Sequence, residues 1–173
     1  MKKLMLTISV VLGTMAYGQN WNVQGGIGGH LWNITEFKGF GMTLNLGTTY
    51  DFNKIVGLGL NFNYDQVGAE RIKRLGLKAN IHLIPLLTSS KSKFGLDIHA
   101  GFGGINNSNK IYNDSYIFRG DDAWNRSIGM TSTIDINTNT LFTIDLTLNN
   151  NNITYTQLRN YTNLTFGIRR YLN

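Results

Sequence analysis

The chain has no cysteine, a single proline and no long apolar run. Without cysteine there are no disulfides, no thiolate metal sites and no N-terminal lipid anchor carried on a thiol. No stretch approaches the roughly 18 consecutive apolar residues of a transmembrane helix. Charged residues are only 15% of the 173, and the net charge of +6 includes Lys2 and Lys3. The positive charges gather into no stripe that could track a nucleic-acid backbone, so nucleic acid is not an expected partner. The 20 glycines also weigh against a helical domain, because glycine weakens helix interiors.

What is present begins with an export signature. Lys2-Lys3 precede the apolar run Leu4 to Met15, and Ala16 and Gly18 place small residues ahead of Gln19. This pattern predicts a cleaved signal peptide over 1–18, too short to span a bilayer, and one mature domain over 19–173. "NNNN", Asn149 to Asn152, is the sole low-complexity stretch and reads as a loop.

The rest of the chain alternates. In "GFGMTLNLGTTYDF", Phe40, Met42, Leu44, Leu46, Thr48, Tyr50 and Phe52 share one face, while Gly41, Thr43, Asn45, Gly47, Thr49 and Asp51 share the other. Val56, Leu58, Leu60, Phe62 and Tyr64 alternate in the same way with Gly57, Gly59, Asn61, Asn63 and Asp65. A period of two is the mark of a β-strand. Similar segments around Trp21 to Leu31, Leu75 to Leu83, Phe94 to Phe102, Trp124 to Ile136, Phe142 to Leu148 and Leu158 to Leu172 bring the expectation to eight strands.

Several of these segments exceed the five or six residues usual in soluble sheets. Their length matches the roughly 9 to 11 tilted residues that cross a bilayer. Aromatics sit where membrane interfaces would be: Phe40 and Tyr50 bracket Met42, Leu44 and Leu46, and Phe94 and Phe102 bracket Leu96, Ile98 and Ala100. From Phe40 to Tyr50 the strand rises about 33 Å, or about 25 Å of height when tilted near 40°. The predicted fold class is an all-β, eight-stranded antiparallel up-and-down transmembrane β-barrel in the bacterial outer membrane. "NK", "LLTSSKSK" and "TNT" fall on the periplasmic side. "NITEFK", "QVGAERIK", "GINNSNKIYNDSYIFRGDD" and "NNNNITYT" face outward.

A soluble lipocalin-like carrier of an apolar ligand also alternates, with its oily face turned inward. Its outer surface would then be glycine, asparagine and few charges, whereas soluble surfaces are rich in Lys and Glu. Small residues fit better inside a narrow barrel.

"IHLIPLLTSSKSKFGLDIHAGFGG" resembles the "IPLL…K…(aromatic)…AG…G" hairpin of the small outer-membrane β-barrel family of Bacteroidetes-type bacteria, which includes PorT-like proteins. The specific part of the match is Ile84 to Gly104. The leader and the terminal "FGIRRYLN" are similar as well, although Arg169-Arg170 stand where aromatic alternation is usual. The resemblance, which extends to OmpX-like eight-stranded barrels, implies an outer-membrane barrel without enzymatic activity; PorT-like members are associated with protein secretion.

Candidate chemistry lies on the inward face. If Leu83 opposes Leu96, His82 opposes Asp97 and Asn80 opposes His99. Lys78, Asp135, Asp145, Arg159 and Arg169 share that face and complete a predicted polar network in the lumen. An imidazole–carboxylate pair can relay protons or act as acid and base. Paired charges filling a narrow lumen are the simpler expectation. His30, His82 and His99 read "HLW", "HLI" and "HAG", without the serine two residues on that outer-membrane lipid A deacylases carry, so no catalytic residue is assigned. No cofactor or metal is expected.

Two outer segments are candidate contact sites. Arg71, Lys73 and Arg74 of "ERIKR" are candidate contacts for lipid A phosphates, as part of a polar loop near the rim. Tyr112, Tyr116, Phe118 and Arg119 are of types enriched at protein-binding hot spots and mark a candidate partner loop. The expected partners are outer-membrane lipid, lipopolysaccharide and another envelope protein. The expected role is structural or interaction-based, with a small-solute channel as the alternative.

Overall fold

The computed structural model describes residues 21–34, 37–67, 70–84, 93–109, 123–152 and 160–172. The expected leader, 1–18, lies outside them.

Eight strands follow one another in chain order: β1 (Trp21–Ile34), β2 (Phe37–Asp51), β3 (Val56–Val67), β4 (Glu70–His82), β5 (Phe94–Asn109), β6 (Trp124–Asn137), β7 (Thr140–Asn151) and β8 (Asn160–Leu172). Each pairs antiparallel with its neighbours, and β8 closes on β1 from Trp21↔Leu172 to Trp32↔Tyr161. Closure leaves no free sheet edge, as a bilayer requires of any spanning sheet.

The stagger follows from the paired residues. Starting at Trp21, the register runs through Tyr50, Leu58, Ala79, Ala100, Ile128, Leu148 and Thr162 and returns to β1 at Leu31. The line comes back ten residues further along, since 31 minus 21 is ten. With eight strands and ordinary strand spacings, that stagger implies a tilt of about 40°.

The period-two pattern decides the two faces. Ile27 is 68% exposed, Met42 71% and Leu75 62%, all on the outside. Asp65, Thr131 and His30 are fully buried within the barrel, and Ile72 and Tyr161 are the buried hydrophobic residues among those described. An apolar exterior around a polar interior is the inverse of a soluble protein and excludes the lipocalin-like carrier. On β5 the outward apolar stretch from Phe94 to Phe102 spans about 21 Å of height at this tilt, close to the apolar band of outer-membrane barrels. Aromatic rings meet at both ends of the band. Trp21 and Tyr50 are 5.5 Å apart at one end, and Phe102 and Trp124 are 6.0 Å apart at the other.

At the end bearing Trp21 and Leu172, short turns join β2 to β3 and β6 to β7. The Asn53 side chain accepts from the backbone N–H groups of Ile55 (2.7 Å) and Val56 (2.9 Å), and that of Asn137 accepts from Asn139 (3.0 Å). Both are Asx turns, which asparagine forms because its amide mimics a backbone carbonyl.

Parts of four expected connections are instead strand, including Ile105 to Asn109 of β5. Glu70 to Arg74 belong to β4, "NITEFK" is entered by β1 and left by β2, and Asn149 to Asn151 complete β7. Alternation continues past the apolar band, where polar side chains stand outside a ladder that is still hydrogen-bonded. Asparagine is tolerated there because Asn149 and Asn151 point inward to polar partners.

Candidate functional site

The lumen holds the chemistry-bearing residues, and they fall into three levels along the barrel axis. Nearest the end bearing Trp21 and Leu172, Asp97 on β5 accepts from Arg169 Nη1 on β8 (2.7 Å) and pairs with His82 Nδ1 on β4 (2.7 Å). The other ring nitrogen of His82 faces Asp51 Oδ1 on β2 at 3.2 Å. Asn22 donates to the second Asp51 oxygen (3.1 Å), while Gln24 accepts from Arg169 Nε and Nη2 at 3.4 and 3.3 Å.

At mid-lumen the hub is Asp145 on β7. It pairs with His99 Nε2 (2.8 Å), accepts from the Thr131 hydroxyl (2.6 Å) and lies 3.7 Å from Lys78 Nζ. Further out the hub is Asp65 on β3. It accepts from Arg74 Nη2 (2.6 Å), the Tyr161 hydroxyl (3.0 Å) and Asn163 (3.3 Å). Arg74 also donates to the Asn149 side chain, and its guanidinium lies 5.3 Å from the centre of the Tyr161 ring.

The charges close a balance. Among the described residues four buried carboxylates, Asp51, Asp65, Asp97 and Asp145, meet three fixed cations, Arg74, Lys78 and Arg169. His82 supplies the remaining positive charge, because a ring nitrogen facing a carboxylate oxygen on each side donates from both. Burying an ion costs several kcal/mol unless it is paired and hydrogen-bonded, so the network stands or falls as a set. The void left beside Arg74, Lys78 and His99 is about 10 Å³, enough for about one water molecule. Among the described residues no group of three or more His, Asp or Glu side chains converges as metal ligands would.

Comparison with known proteins gives no match to any protein family and none to any curated protein. Solved structures do match. Neisserial surface protein A superposes with a TM-score of 0.69 at 11% identity, over 88% of this chain and 97% of that one. The N-terminal β-barrel domain of Pseudomonas aeruginosa OprF gives 0.55 at 16% identity, over 88% and 98%. The outer membrane protein OprG of the same species gives 0.52 at 14% identity, over 88% and 96%.

The fold is that of the small outer-membrane β-barrels.

Within this small barrel, the predicted lumen residues separate into distinct groups. Lys78, His82, Asp97, His99, Asp145 and Arg169 come together inside it, with Asn80 opposite His99 and His82 opposite Asp97. Asp135 does not join them. It has the inward parity, but it is exposed at the rim on the Trp21 side, where the β6–β7 register shifts between Asp135 and Asn137. Arg159 lies outside the described residues, as do Tyr112, Tyr116, Phe118 and Arg119 of the expected partner loop.

The basic cluster of β4 also divides. Arg71 and Lys73 are exposed on the outward face, but Arg74 is 4% exposed and belongs to the lumen. It therefore cannot grip a lipid phosphate, a correction that follows from strand geometry: successive side chains leave opposite faces, and 74 shares the parity of 78 and 82. Five buried titratable lumen residues were not anticipated as part of the network: His30, Asp51, Asp65, Arg74 and Tyr161. The alternation already placed Asp51 and Asp65 on the polar face; their partners across the lumen were the missing information.

Proposed function

We propose that this chain is an exported outer-membrane protein whose barrel conducts nothing and catalyses nothing, and whose role is structural or interaction-based. The observation that carries the reading is the lumen. Its charges are neutralised by one another, and its mid-section around His99 and Asp145 has space for about one water molecule, which leaves no room there for a solute to pass. Such a barrel contributes envelope integrity and a rigid platform for its outward connections. Tyr112, Tyr116, Phe118 and Arg119 then form the contact for another envelope protein, as an accessory subunit of a larger membrane or secretion complex. The Ile84 to Gly104 resemblance supports placing the chain with PorT-like barrels, and the Lys2 to Gly18 pattern supports export through a cleaved signal peptide.

The test is outer-membrane fractionation, gel mobility with and without boiling, and planar-bilayer recording of the purified protein. Recovery in the outer membrane, faster migration of the unboiled form and an electrically silent bilayer are expected. Stable unitary conductance steps would replace this reading with the small-solute channel.

A further inference from the structure

Toward the end of the barrel opposite Trp21 and Leu172, three described basic side chains stand outside the lumen network. Arg71 and Lys73 on β4 and Arg126 on β6 are exposed on the outward face. Below them the same faces continue with Leu75 and Leu77, and with Ile128 and Met130, so positive charge begins where the apolar band stops. Among the described residues no carboxylate pairs with any of the three. The stagger of the barrel brings them to one level. Leu77, Phe102 and Arg126 are register partners, and the pairing line climbs outward by a little over one residue per strand, which sets Arg126 level with the stretch from Lys73 to Leu75. Arg126 is held there by stacking 4.3 Å over the Trp124 ring.

Between these cations the wall is notched. A cleft of about 480 Å³ opens at Gly104, with Phe62 and Leu75 as apolar walls and Lys73, Arg74 and Asn106 as polar ones, while Arg71 and Arg126 stand beyond its lining. The notch exists because Gly104 has no side chain; a Cβ there would have nothing within 4 Å.

We infer that this cleft is a binding site for one phosphorylated glycolipid of the outer leaflet, seating an acyl chain against Phe62 and Leu75 and its phosphates on the basic rim. The inference rests on the outer-membrane reading and deepens it. Charge complementarity names the occupant. Arginine and lysine side chains without carboxylate partners, set at the upper edge of an apolar notch, match an anionic headgroup with its chain descending beside it. The cations flank β5 on both sides, two strand spacings or about 10 Å apart. That separation engages two phosphates on one headgroup, whereas a glycerophospholipid offers a single phosphodiester. A second copy of the chain is the poorer occupant, because a two-fold contact would press like-charged rims together.

The test is native mass spectrometry of the folded, detergent-purified barrel, checked by its gel mobility shift. The probes are bisphosphorylated lipid A, dephosphorylated lipid A and phosphatidylglycerol. Wild-type protein retains the bisphosphorylated lipid preferentially. Gly104→Trp, which fills the notch from an open position and displaces the acyl chain, and the triple variant Arg71→Gln, Lys73→Gln, Arg126→Gln, which removes the phosphate contacts, each weaken retention about tenfold. Both variants keep the wild-type mobility shift. Equal retention of phosphatidylglycerol, retention unchanged in both variants, or no retention by the folded wild type would each overturn the inference. So would a lipid-independent dimer that Gly104→Trp abolishes, which would assign the cleft to a second copy. Failure of the outer-membrane reading looks different: no folded, heat-modifiable barrel would be recovered from outer membranes at all.

Discussion

Asp65 shows what a single residue does in this barrel. It has no exposed surface and satisfies Arg74, Tyr161 and Asn163 at once. Removing it strands a guanidinium that is only 4% exposed and largely out of reach of bulk water. Asp65→Ala should therefore cost about 3–5 kcal/mol, read as a fall in the urea midpoint of unfolding in detergent or liposomes. Asp135→Ala, at the exposed rim, should stay within about 0.5 kcal/mol of wild type in the same assay. Equal effects of the two substitutions would refute the division between network and rim. Parity alone placed Asp51 and Asp65 on the inward face, whereas Arg74 was expected at the rim beside Arg71 and Lys73 although it shares the parity of Lys78. Their partnerships were illegible, because Arg74 and Asn149, or Asp65 and Tyr161, meet across strands far apart in the chain.

At the scale of elements, the strands depend on small residues where backbones crowd. Gly28 on β1 faces inward at the closing seam, and a Cβ there would run into the Leu164 carbonyl and lie 2.7 Å from Thr165 Cα on β8. These are backbone atoms in a registered pair, Gly28↔Thr165, and cannot swing aside. Gly28→Val should prevent closure of β1 on β8 and abolish the folded, fast-migrating band, whereas Gly104→Ala, entering open space, should leave it intact. A normal band for Gly28→Val would mean that the seam tolerates a shift. Strand ends were harder to read than strand centres. Glu70 to Arg74 and Asn149 to Asn151 have the composition of loops, yet they remain in the ladder because their neighbours across it supply the hydrogen bonds.

For the molecule as a whole, the exterior is matched to lipid. Ile98 lies midway between Phe94 and Phe102 on the outward face of β5. Ile98→Arg would place a charge near the bilayer midplane and should cost about 2–4 kcal/mol of folding stability in liposomes. In small detergent micelles, where the headgroup layer is close, the loss should be smaller. Equal stability in liposomes would show that this band does not face hydrocarbon.

The sequence by itself determined the number of strands and the alternation of oily and polar faces along them. Both follow from a local period of two, which is written along the chain. Only the tertiary structure decided which inward charges meet, that Arg74 belongs with Asp65 rather than with lipid, and that a notch opens at Gly104 between cations on different strands. Those outcomes depend on the ten-residue stagger with which eight strands close, and that stagger is a property of the ring, visible in no single segment.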